Sequence, residues 1–138
     1  MNKSAVTAFI SAMYRSRLSN NVDDLVGYFS HGATLRIAGA PESSPIARAS
    51  ADPASMHRQL AQLVSAWRWD EYSIVSIVSD GDTAAVHYRL KATFQPTGDK
   101  IDTEIGDFIT FKDGKIASFV QFVDTAKVVE LAVKATRS

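Results

Sequence analysis

Asp107 stands in the stretch EIGDFITF, Glu104 to Phe111, on the face where a β-strand would also place Ile105, Ile109 and Phe111. Ile101 extends that face by one step. A charge on an apolar face costs several kcal/mol unless it is paired or its pKa rises until it neutralises. A carboxyl in that position can exchange or donate a proton near neutral pH, which makes Asp107 the leading catalytic candidate. The structural alternative is a buried acid paired with a Tyr, Arg or Gln. Gln121 lies on the last strand, and its facing depends on the hairpin before it. A strict two-residue turn at Asp113-Gly114 puts it opposite Asp107's face, and a three-residue loop with a glycine bulge puts it on the same face. An amide there orients a ligand but is no general base. Tyr14 has an apolar body and a polar tip, suited to lining a pocket or closing the core. Tyr88, Ile105, Phe119 and Trp67 are candidate pocket wall. Asp124 reads as a helix cap, and Arg36 as a partner for Asp107 or an interface residue.

Other chemistries are excluded or unsupported. The chain has no cysteine, which removes disulfides, thiolate catalysis and cysteine metal sites. His31, His57 and His87 lie far apart with no ligand spacing. No metal or cofactor is therefore expected. The formal net charge of zero offers nothing to steer the protein to nucleic acid or an anionic membrane. No apolar run approaches the roughly 20 residues of a membrane span. The N-terminus lacks the continuous apolar core of a signal peptide, and Arg15 and Arg17 interrupt it. A cytoplasmic protein is expected.

A chain of 138 residues, 46% hydrophobic and 22% charged, suits one domain, residues 1–138. Val6, Phe9, Ile10, Met13 and Tyr14 repeat at helical spacing. A second short helix, capped by Asn20 or Asn21, carries Leu25, Val26 and Phe29. Ala33 to Ala38 is a short strand. Gly39 to Ala51, rich in Pro and Ser, is a loop placed to border a pocket mouth. Asp52 and Pro53 read as N-cap and first residue of a third helix, with Met56, Leu60, Leu63, Val64 and Trp67 as its stripe. From Glu71 onward, strand patterns alternate with the turn signals DGD, PTGD and KDGK. A short helix from Thr125 to about Lys134 ends the chain. Helices first and antiparallel strands after predict an α+β domain. The last strand is apolar on both faces, with Phe119 and Val123 on one and Val120 and Phe122 on the other. One chain has helices enough to cover one side only, so the second cover is expected to be another copy, in a homodimer through the sheet.

The segments NNVDDLVGYFSHGATLRI and DFITFKDGKIASFVQFVDTA resemble the SnoaL-like, ketosteroid isomerase-related proteins of the nuclear transport factor 2-like superfamily. The resemblance implies a cystatin-like cone: three N-terminal helices packed on a curved, mainly antiparallel sheet, around an apolar pocket for a small hydrophobic molecule. Asp107 resembles the oxyanion-hole acid of ketosteroid isomerase. That enzyme's base position falls on Ile37, and its oxyanion Tyr aligns nearest Met13, with Tyr14 one residue away, about 100° round the helix. The arginine that limonene epoxide hydrolase keeps two residues before its strand aspartate is here Ile105. True steroid isomerisation is therefore not implied. What is implied is a cofactor-free isomerase, cyclase or hydrolase using Asp107, with Tyr14, Trp67, Tyr88, Ile105, Phe119 and Gln121 around the ligand. The alternative is a non-catalytic binding or dimeric interaction module.

Overall fold

Two asparagines set the entry of the chain into its core. The first helix, α1 (Lys3–Leu18), starts at Asn2, whose side chain accepts from the Ala5 N–H. It ends with Asn20 in the left-handed region, φ 59°. There the Asn20 N–H donates to the Arg17 carbonyl and the Asn21 N–H to the Ser16 carbonyl, which closes the helix as a Schellman turn. Asn21 then caps α2 (Val22–Val26) by accepting from the Asp24 N–H. Of the two asparagines, Asn21 is thus the cap.

The computed structural model describes residues 1–39 and 53–137. The expected loop border at the pocket mouth and the Asp52 cap lie outside these residues. The remaining elements are β1 (Phe29–Ile37), α3 (Pro53–Ala66), β2 (Trp67–Asp80), β3 (Thr83–Phe94), β4 (Asp99–Lys112), β5 (Lys115–Phe122) and α4 (Thr125–Thr136). The strands form one sheet in the order β1-β5-β4-β3-β2. Among the described residues only the β1–β5 pair is parallel. This is the expected α+β cone, with α1 to α3 against one face and a short C-terminal helix.

Two element boundaries differ from the sequence reading. Phe29 belongs to β1 rather than to α2, and Trp67 opens β2 rather than closing α3. Both are bulky aromatics at a helix-to-strand junction, where helical and strand spacing agree on which side is buried.

The cross-strand register places the chemistry. One row on the inner face runs Ile77, Val86, Asp107, Gln121, Ile37 from β2 to β1. Rows of Ala84, Ile109, Phe119 and Leu35 on one side, and of Ile74, Tyr88 and Ile105 on the other, flank it. The outer face carries the row Val78, Ala85, Phe108, Val120, Arg36. The core therefore lies between the inner face and the stripe of α1, with Val6, Ile10, Met13 and Tyr14 all buried.

Gln121 faces Asp107 by a route that neither hairpin alternative described. The turn is a two-residue one, Asp113 (φ 53°) and Gly114 (φ 77°), joining the pair Lys112–Lys115. That mirror-image turn needs positive φ at both positions. The register shifts further on, between Thr110 and Phe111, where Phe111 pairs Ile116 but Thr110 pairs Ser118. The extra residue, Ala117, is a bulge in β5. It moves Gln121 onto Asp107's face, so the bulge replaces the longer loop.

Candidate functional site

Asp107 is fully buried, at 0% exposure, near the middle of β4. Its two oxygens have different partners. The Tyr14 hydroxyl donates to Oδ2 at 2.6 Å, and the Gln121 Nε2 amide donates to Oδ1 at 3.0 Å. The same amide reaches the Tyr88 hydroxyl at 3.3 Å. Burial pushes the Asp107 carboxyl up to about 6 from 3.8, against the hydrogen bonds from Tyr14, Gln121 and Tyr88, which hold the charged form. The outcome is an acid that changes protonation close to neutral pH. The two phenols are likewise driven towards their neutral form. Burial first, and then the negative charge of Asp107, raise both Tyr14 and Tyr88 well above the ordinary tyrosine range, so both remain neutral donors.

Tyr14 makes this bond although the family comparison put the equivalent position at Met13. The pair Tyr14–Tyr88 is tilted at 4.9 Å between ring centroids, and Trp69 stacks edge-on to Tyr14 at 5.6 Å. Tyr14 is thereby packed against β2 and β3, with its hydroxyl reaching Asp107 on β4. Arg36 takes no part. It is exposed on the outer row, next to Val120. His87 and Arg89 are exposed on the same outer side and reach Glu104 and Asp102. Asp124 caps α4, accepting from the Lys127 N–H at 3.1 Å.

Two adjoining cavities meet at this network. The inner one, about 40 Å³, is bordered by Tyr14, Tyr88, Asp107 and Phe119. The outer one, about 100 Å³, is bordered by Trp67, Leu90, Ile105 and, from α4, Val128. Gln121, Trp69, Leu63 and Arg17 border both. The six expected ligand contacts therefore separate: Tyr14, Tyr88 and Phe119 sit at the closed end beside Asp107, Trp67 and Ile105 sit in the outer chamber, and Gln121 lies between. Together the chambers approach the ~150 Å³ cavity that accepts benzene. Their size is that of one ring.

Arg17 was passed over in the sequence as a charge interrupting an apolar segment. It is buried, at 5% exposure, at the end of α1. Its Nη2 donates to the Trp67 carbonyl at 2.6 Å, and its Cζ lies 5.2 Å from the centre of the Trp69 ring. The signal was present: Ile10, Met13, Tyr14 and Arg17 share one helical face. Trp69 is both core and cavity wall. Among the described residues no group of three or more His, Asp or Glu could hold a metal ion, and no helix is long and apolar enough to cross a membrane.

Residues 6–119 match the family model described as a SnoaL-like domain. No curated protein matches. Among solved structures, the chain is similar to a protein from Rhodopseudomonas palustris provisionally labelled an isomerase, at 22% identity and TM-score 0.77, over 97% of this chain and 99% of that one. A protein from Jannaschia sp. CCS1, provisionally labelled a SnoaL-like polyketide cyclase, aligns at 14% identity and TM-score 0.76, over 91% and 90%. A hypothetical protein with a ketosteroid isomerase-like fold from Catenulispora acidiphila, complexed with trimethylamine, aligns at 10% and 0.68, over 82% of each chain. At these identities the similarity concerns the fold.

Proposed function

Since this chain belongs to the SnoaL-like domain family, we propose that it takes a small, single-ring hydrophobic molecule into its cone and that Asp107 exchanges a proton with that molecule or polarises it. The reaction class is cofactor-free isomerisation, cyclisation or addition of water, in a cytoplasmic setting. The observation that carries this reading is the Asp107 carboxyl itself, fully buried beside the inner apolar chamber, where burial pushes it up to about 6. General acid–base work is most efficient with a pKa near the working pH. Tyr14, a neutral phenol, donates to Oδ2 and would hold the carboxyl in its ionised form when it has given up its proton.

A second reading is favoured by one feature: both Asp107 oxygens are already engaged. The network would then fix a ligand's orientation without turnover. Acetophenone, a neutral single-ring carbonyl, serves as the probe for both. It is expected to quench Trp67 and Trp69 fluorescence and to lose its binding in Ile105→Trp, which fills the outer chamber. No binding of acetophenone or of any other single-ring probe up to millimolar concentration, or binding unaffected by Ile105→Trp, would remove the pocket reading. Turnover of any bound ketone that Asp107→Asn abolishes while binding persists would select the enzyme over the binding module.

The outer sheet face supports a homodimer as part of the same reading. Phe108 and Phe122 are about half exposed and stack edge-on at 5.4 Å, and Val78 lies in the Phe108 row. Such an apolar patch on an uncovered sheet suits a second copy. Light scattering is expected to give a dimer for the wild type and a monomer for Phe108→Lys. A monomeric wild type at tens of micromolar would rule the dimer out.

A further inference from the structure

We infer that Arg17 is the ligand's anchor and that the molecule taken into the cone is a carboxylate, a single-ring carboxylic acid held by the Arg17 guanidinium. This rests on the pocket reading above and names the ligand class for that site. Arg17 is 95% removed from solvent. Its Nη2 is committed to the Trp67 carbonyl, whereas its Nη1 is buried with no hydrogen-bond partner. Among the described residues no carboxylate pairs with it, since the ion pairs all lie elsewhere. Asp107 is turned to Tyr14 and Gln121 instead.

A buried cation with one neutral acceptor and an aromatic face is incompletely compensated. Burial accordingly lowers the Arg17 pKa, to about 10, which still leaves it charged at neutral pH. An incoming carboxylate would supply the missing acceptor and the missing charge together. The position fits that task. Arg17 borders both chambers, so an acid group bound there leaves the ring against Trp67, Leu90 and Ile105. The acid group then lies where the chambers adjoin, and a ring substituent beside it is the part that reaches into the inner chamber towards Asp107. The junction of the chambers recognises charge and the inner chamber handles a proton.

Benzoate and benzamide make the matched pair of probes, equal in shape and different in charge. The expected result is that benzoate binds at least tenfold more tightly than benzamide and shifts the Arg17 Nε–Hε signal in the NMR spectrum. In Arg17→Met that preference is expected to vanish, and in Arg17→Lys to be retained in part. The wild-type comparison stands without any variant, so a misfolded Arg17→Met does not blunt it. Benzamide binding as well as benzoate, or benzoate leaving the Arg17 signal unmoved, would overturn the anchor and leave the pocket reading intact. Failure of benzoate, benzamide and acetophenone alike would overturn both.

Discussion

Asp107→Asn is expected to be stabilised relative to the wild type by about 2 kcal/mol on going from pH 4.5 to pH 8, from linkage at 1.36 kcal/mol per pKa unit. The folded-state carboxyl is raised, to about 6 from 3.8. Between those values the folded protein holds a proton that the unfolded chain has released. Stability from this group is therefore fully present below about 3.8 and is lost as the pH rises through about 6. The amide never ionises and carries no such slope. At acid pH the variant is expected to be the less stable partner by about 1–3 kcal/mol, because its Nδ2 brings two protons to the Tyr14 hydroxyl or the Gln121 amide where the neutral acid brings one. The gap narrows or reverses above pH 6. Urea unfolding of both proteins at the two pH values checks this. Parallel curves with a constant gap would mean that Asp107 does not titrate in that window.

Tyr14→Phe is expected to act in the opposite sense. Its hydroxyl holds the ionised carboxyl at 2.6 Å, and a hydrogen bond to a charged group contributes about 1.5–3 kcal/mol, against about 0.5–1.5 for a neutral one. Loss of the hydroxyl should therefore cost more at pH 8 than at pH 4.5. The same difference, near 1.4 kcal/mol, corresponds to a further rise of about one unit in the Asp107 pKa. Little packing is lost, because the ring keeps its contacts with Trp69, Tyr72 and Tyr88. Unfolding at both pH values, with the carboxyl titration of the variant, reads both effects. An equal loss at the two pH values would show that the bond does not discriminate between the charged and the neutral acid.

Much of this site is visible in the sequence, and what is hidden is hidden for definite reasons. Strand alternation alone puts Asp107 inward, because a two-residue period has only two answers. The partner of Asp107 was harder. Tyr14 lies one position, or about 100° of helix rotation, from the tyrosine that the resemblance implies. The pitch of α1 against the sheet decides such a question, and pitch is set by packing with Trp69 and Tyr88, which share no local sequence with it. Gln121 depended on a bulge at Ala117, a residue with no distinctive turn chemistry, so the register could not be read from Asp113-Gly114 alone. Arg17 is the instructive omission. It stands on the apolar stripe of α1 as Asp107 stands on the apolar face of β4. The same test, a charge where the period demands an apolar side chain, identifies both.

The fold was easier than the site because it rests on many weak, concordant signals. Helix caps at Asn2, Asn21 and Asp124, and turns at Gly81, Gly98 and Gly114, mark nearly every element boundary independently of packing. At Trp67 no glycine or proline punctuates the junction, and at Phe29 the Gly27 cap of α2 is a single glycine that also fits a helix interior.

The most direct test of the account is an NMR titration of the Asp107 side-chain carboxyl, assigned with Asp107→Asn and repeated in the presence of acetophenone. The account predicts a midpoint near 6 that moves when the probe occupies the cavity. A midpoint at or below the ordinary ~3.9 of an aspartate, unmoved by the probe, would contradict it.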